Sequence, residues 1–201
     1  MKIIGITGQS GSGKGYLSTE FAKLGYIHAD ADKIYHDLLK NCTSLKDELV
    51  RTFGADILTN GEIDRKILGK KVFGANNARK LAKLNKITHK YVCREYIKLI
   101  VALKEQDSKG IIIDAPLLIE ARLHKLCDFN IYVYCDEEVR IERIMKRDSI
   151  SREAALLRIR SQKPWSFYAT QCDTAIPNNG ILPLDDYAKS IDNLLHGESN
   201  E

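Results

Sequence analysis

Two hydrophobic periods alternate along the chain and predict its elements. Lys2 to Thr7 is β-branched and apolar, the pattern of a buried strand; after a glycine-rich break, apolar positions recur at helical spacing from Leu17 to Leu24. Tyr26 to Ala29 predicts a short second strand leading into Asp30-Ala31-Asp32, and Ile34 to Leu39 a helix. From Leu45 to about Leu103 the pattern is mostly helical, with a turn at Thr59-Asn60-Gly61. Its longest periodic stretch runs from Ala78 through Leu81, Leu84, Tyr91 and Ile100.

Gly110 closes that block, and Ile111 to Ile113 is a continuous apolar run, which marks a strand covered on both faces of a parallel sheet. Asn130 to Cys135 predicts another strand and Glu137 to Arg147 a helix. Ser151 is placed to cap a helix reaching Ser161, with Glu153 in its first turn and Pro164 as its stop. Asp173 to Ile176 predicts a last short strand, Asn178-Asn179-Gly180 a turn, and Asp186 to Leu195 a terminal helix. Strands alternating with helices imply an α/β fold: a mostly parallel sheet flanked by helices, with right-handed crossovers and ligands at the carboxyl ends of the strands. There is no internal repeat or low-complexity tract.

Composition narrows this picture. A chain of 201 residues supports one α/β unit with small inserted lobes. Its 44% hydrophobic and 29% charged residues exclude a disordered chain, and no run approaches the roughly 18 apolar residues of a membrane span, so no membrane partner is expected. The opening MKIIGITGQSG leads straight into the glycines and reads as a first strand, not a signal peptide. Five scattered cysteines without a C-x-x-C predict neither disulfides nor a zinc site, and point to a cytoplasmic location. With a net charge of +4 and basic residues interleaved with acidic ones, no nucleic-acid partner is expected. The basic excess between Arg140 and Arg160 is the exception.

The stretch GITGQSGSGKGYLST carries the strongest chemistry. Gly8, Gly13 and Lys14 fit G-x-x-x-x-G-K-[ST], in which backbone amides and a helix N-terminus cradle phosphates and the lysine reaches the β and γ groups. The next residue, normally a hydroxyl on magnesium, is Gly15. If the backbone stays extended, Asp30 and Asp32 point the same way, and one could take a proton from a substrate hydroxyl; capping of the following helix is the other reading, as strong for Asp30 and weaker for Asp32. Asp114, after the run 111–113, stands where an acid orients magnesium or its water shell. Arg143 and Arg147 share a helix face and suit a mobile lid over phosphates. Arg140, Arg152, Arg158 and Arg160 stay open between that role and a solvated surface.

Other features carry less. Asn85-Lys86-Ile87-Thr88 lacks the acid of a guanine-reading N-K-x-D. His89 has no partner at ligand spacing, so a helix-surface or substrate-contacting role is expected instead of a metal. Trp165, Phe167 and Tyr168 suit packing under a lid better than stacking on a base.

Taken in order, the motifs resemble the dephospho-CoA kinase family from about Lys2 to Gly180: GITGQSGSGKG, HADADKIYH, FGADILTNGEIDRKILGKKVF, DAPLLIEA, ERIMKRD, RIRSQKP and CDTAIPNNG. The resemblance implies a P-loop kinase fold as a single unit, with a core of about 1–44 and 108–201, a helical CoA-binding lobe of about 45–107 and a small helical lid of about 145–168. It implies transfer of the ATP γ-phosphoryl group to the ribose 3′-hydroxyl of dephospho-CoA, with Mg2+, by a monomer or weak homo-oligomer. Asp32 then matches the base, and Lys14, Arg143 and Arg147 the groups on the phosphates. Gly8, Gly11, Ser12, Gly13, Gly15, Tyr16, Asn178 and Gly180 fall on the ATP side. Thr7, Asp30, Arg65, His89, Leu117 and Glu120 fall near the acceptor, and Asp114 on the metal, through water.

Three positions depart from the family: Gly15 for Ser/Thr, Lys90 for the proline after the histidine, and Tyr168 where a basic residue is common. A nucleoside or nucleotide kinase of related fold, and a nucleotide-binding protein weakened at Gly15, are the alternatives.

Overall fold

The computed structural model describes residues 1–74 and 77–197. Two compact units divide the chain, Met1–Ala29 with Ala102–Glu201, and Asp30–Val101. The second begins at Asp30, because the helix after Asp30 packs with the elements that follow it.

In the first unit the strands are β1 (Lys2–Gly8), β2 (Ile27–Asp30), β5 (Gly110–Asp114), β6 (Phe129–Tyr134) and β7 (Thr174–Pro177), in the order β2-β5-β1-β6-β7. β1 runs parallel to β5, with Ile6 opposite Asp114, and parallel to β6, with Ile6 opposite Ile131; β7 runs parallel to β6. Every residue of β5 is buried, which explains its unbroken apolar run. Helices α1 (Lys14–Lys23) and α9 (Leu184–His196) pack against the sheet, where Leu17, Phe21, Ala188 and Ile191 join Ile4 and Ile112 in one core cluster. Polar groups fasten α9 as well: the Tyr26 hydroxyl and Lys109 Nζ donate to the two oxygens of Asp192 at 2.9 and 2.7 Å.

Helices α6 (Glu137–Asp148) and α7 (Arg152–Arg160) form a pair around Ile141, Ile144, Ala155 and Ile159. Ser149 ends α6 in the left-handed conformation, and Ser151 caps α7 by accepting from the Ala154 amide, as its position in the sequence suggested. Pro164 does more than stop α7. It begins a further short helix, α8 (Trp165–Ala169), since a proline's missing N–H is no loss in a helix's first turn.

The second unit is helical: α2 (Ala31–Asn41), α3 (Thr43–Phe53), α4 (Arg65–Val72) and α5 (Ala78–Glu105). Its expected turn is the tip of a hairpin between β3 (Leu58–Thr59) and β4 (Glu62–Ile63), where Asn60 and Gly61 both have positive φ, the conformation that two-residue hairpin turns require. Along α5 the buried Leu84, Ile87, Tyr91, Tyr96 and Ile100 repeat at three to five residues, the apolar stripe read from the sequence.

Candidate active site

Residues 8–14 link the end of β1 to the start of α1. Gly11 and Gly13 have φ of 81° and 85°, and a Cβ on Gly11 would stand 2.8 Å from the Arg140 carbonyl oxygen, so both positions need glycine. The first-turn amides of α1 have no acceptor inside the helix and carry its partial positive charge, which is the physical basis of an anion cradle. Ser12 Oγ is buried and has no hydrogen-bond partner among the described residues.

Lys14 Nζ lies 2.5 Å from Asp114 Oδ1 at the end of the neighbouring strand. The other carboxylate oxygen accepts from Ser18 Oγ at 3.0 Å and faces His28 Nε2 at 3.1 Å. Burial of Asp114 opposes its ionisation, but the hydrogen bond from His28 and the charge of Lys14 outweigh that and hold the carboxyl below its ordinary range. Gly15 sits inside α1, and a Cβ built there meets nothing nearer than Asp114 Oδ2, at 4.0 Å.

Arg140, only 5% exposed, is wired to the loop: Nε donates to the Ser10 carbonyl at 3.0 Å, Nη1 to Gln9 Oε1 at 2.9 Å and Nη2 to Gln162 Oε1 at 2.9 Å. Gln162 Oε1 also accepts from the Ser10 amide at 3.0 Å, and Gln9 Nε2 donates to the Lys163 carbonyl at 2.9 Å. Arg143 Nη1 lies 3.3 Å from the Gly11 carbonyl. Arg147 forks onto Asp148 at 2.8 and 2.9 Å and reaches Ser10 Oγ at 3.4 Å. Asn178 is buried, its amide donating to the Ser12 carbonyl at 2.8 Å, while Tyr16 is exposed and Gly180 has positive φ in its turn. Thr7 is buried with its hydroxyl on the Pro116 carbonyl, Leu117 is exposed, and the partly buried Glu120 keeps one oxygen, Oε2, without a partner among the described residues. Burial pushes the Glu120 carboxyl upward.

In the second unit the extended Asp30-Ala31-Asp32 segment is not found. Asp30 closes β2 and its carboxylate accepts from the amides of Asp32 and Lys33 at 2.8 and 3.2 Å, so the helix starts between the two aspartates. Asp32 is exposed in the first turn of α2. Arg65 is in hydrogen-bond contact with His36, and it opposes the upward push that burial gives the Tyr35 hydroxyl. His89 Nε2 is buried without a partner among the described residues, and burial lowers its basicity. Lys90 stands within the continuous α5 and pairs with Glu48 at 2.5 Å, at the position where the family that the sequence resembles commonly has proline.

His28, Gln9 and Gln162 lie inside motifs read from the sequence, and Ser18 in the helix after the loop, but sequence reasoning assigned none of them a role. The motifs HADADKIYH and RIRSQKP contain His28 and Gln162, but a motif does not name its residues' partners, and Ser10, a partner of Gln162, is 152 residues away.

A family model for dephospho-CoA kinase matches residues 2–183. A dephospho-CoA kinase of Carboxydothermus hydrogenoformans is 41% identical over 183 residues, covering 90% of this chain and 88% of the relative. The crystal structure of TT1252 from Thermus thermophilus has a TM-score of 0.79 at 27% identity, covering 99% of this chain and 98% of that one. The dephospho-CoA kinase from Campylobacter jejuni has a TM-score of 0.63 at 26% identity, covering 96% of each chain. With its phosphate loop and its acidic strand end in place, the chain belongs to the dephospho-CoA kinase family.

Proposed function

We propose that this protein transfers the γ-phosphoryl group of ATP to the ribose 3′-hydroxyl of dephospho-CoA, giving CoA and ADP. The observation that carries this reading is the pairing of Lys14, at the start of α1, with Asp114, at the end of the strand beside β1, next to a loop shaped for phosphate, in a chain of this family. Lys14 binds the β and γ phosphates, and Arg143 and Arg147, on one face of α6, close over the transferring group. Arg143 already lies along the loop carbonyls. Asp32, at the exposed start of α2, takes the proton of the acceptor hydroxyl, while Asp30 shapes the turn that presents it. Ser12, His89 and Glu120 each hold a buried polar atom that lacks a protein partner among the described residues, as groups completed by a ligand do. Arg65 and Leu117 join the acceptor side; Tyr16, Asn178 and Gly180 join the ATP side.

The donor set around Asp114 fits magnesium held through water: one buried carboxylate with donors on both oxygens, beside a helix position without a hydroxyl. Magnesium would neutralise charge on the β and γ oxygens when bound. Free cysteine thiols fit a cytoplasmic enzyme, and monomer or weak homo-oligomer is the assembly we favour.

The test is ADP release by the purified protein with ATP, magnesium and a panel of acceptors. Turnover with dephospho-CoA, absent with nucleosides and nucleoside monophosphates, is the expected result. Equal or better use of a nucleoside would replace the acceptor assignment.

A further inference from the structure

The two oxygens of Asp114 are held by different kinds of donor. Oδ1 faces Lys14, a residue the reaction recruits to the phosphates. Oδ2 faces Ser18 and His28, neither of which has a part in the proposed transfer. Ser18 is fully buried one turn after Lys14, with its hydroxyl also 3.2 Å from the Lys14 carbonyl, so its position is fixed by α1 itself. His28 approaches from β2, the strand at the sheet edge next to β5. Since an ionised Asp114 only accepts, the His28 nitrogen facing it carries a hydrogen.

Apart from the backbone of α1 and the neighbouring residues, the same oxygen, Oδ2, is the nearest heavy atom to the place where a side chain at Gly15 would begin, at 4.0 Å. A serine there could direct its hydroxyl at the carboxylate edge that His28 and Ser18 already occupy. We infer that Ser18 and His28 are positioning residues that hold the Asp114 carboxylate for the magnesium-nucleotide in place of the hydroxyl that Gly15 lacks. A carboxylate anchored at one oxygen keeps its plane when the other loses its partner. As Lys14 turns to phosphate, Oδ1 is therefore presented to a metal-bound water without the carboxylate having to reorient. This inference rests on the magnesium assignment proposed above, and not on the identity of the acceptor.

The test is binding of a fluorescent ADP analogue, with no acceptor present, measured in magnesium and in chelator. Magnesium should tighten binding by the parent protein. His28→Ala should lose about tenfold of that tightening, the worth of one hydrogen bond to a charged group, with affinity in chelator unchanged. His28→Gln, which keeps an N–H donor and the bulk, should retain most of it, and so guards against a folding defect. Adding Gly15→Ser to His28→Ala should restore the magnesium effect. Equal losses in magnesium and chelator, no loss at all, or no recovery with Gly15→Ser would each overturn the inference. A parent indifferent to magnesium would overturn it together with the metal assignment, while ADP release reads the acceptor separately.

Discussion

The backbone amide of Ser10 donates to Gln162 Oε1 at 3.0 Å, tying the phosphate loop to the segment between α7 and α8. The same oxygen receives Arg140 Nη2, so one side chain satisfies a loop amide and a buried guanidinium together. Gln162→Ala leaves both donors short of a partner. A loss of about 1–3 kcal/mol is expected, read as a lower urea midpoint, together with weaker nucleotide binding because the loop loses an anchor.

Gly15 and Gly13 stand two residues apart and should respond in opposite ways to an added methyl or hydroxymethyl group. At Gly15 the new Cβ meets Asp114 Oδ2 only at ordinary van der Waals distance, and replacing a glycine within a helix should raise stability by up to about 0.5 kcal/mol. At Gly13 a Cβ would collide with the Asn178 amide in a backbone of positive φ. Gly13→Ala should therefore lower the melting temperature and abolish tight nucleotide binding, whereas Gly15→Ser should keep both, with turnover equal to or above the parent's.

Asp30 and Asp32 separate capping from the proton transfer proposed above. Asp30→Ala removes the side chain that caps α2 and should lower stability by about 1 kcal/mol. Asp32→Asn leaves that cap in place. It should reduce kcat by about 10²–10⁴-fold with an unchanged denaturation midpoint, as loss of a general base does. Parallel urea titrations and ADP-release assays on the two variants check this.

Asp148 gives the α6–α7 pair a pH dependence. The hydrogen bond from Arg147 draws its carboxyl down from 3.8 to about 2, against an opposing push from burial and with help from the charges of Arg147 and Arg158. A carboxyl more acidic in the folded state stabilises the fold fully above pH 4 and loses that contribution as pH falls from about 4 to about 2. The parent's urea midpoint should drop through this window. Asp148→Asn should start lower at neutral pH and fall less steeply across it.

The parts of the site that follow from local sequence were legible in advance. The loop needs its glycines and lysine in consecutive order, and Asp114 follows an apolar run whose burial dictates both the strand and its end. The relation between Asp30 and Asp32 stayed open in the sequence between an extended segment and a helix cap; the cap is what forms at Asp30, because a short polar side chain can bond the next amides and start a helix. The contacts of His28 and Gln162 were out of reach for another reason. Their partners lie 86 and 152 residues away, and only the strand order and the return of the chain after α7 bring them together.

The cluster joining α1 to α9 has a consequence for synthesis. Leu17 and Phe21, on the helix that carries the phosphate loop, are covered in part by Ala188 and Ile191, which leave the ribosome after every other strand and helix described. A growing chain that already contains the whole nucleotide loop still has an apolar face bare behind it. The helix behind the phosphate loop therefore completes its apolar packing only when α9 docks.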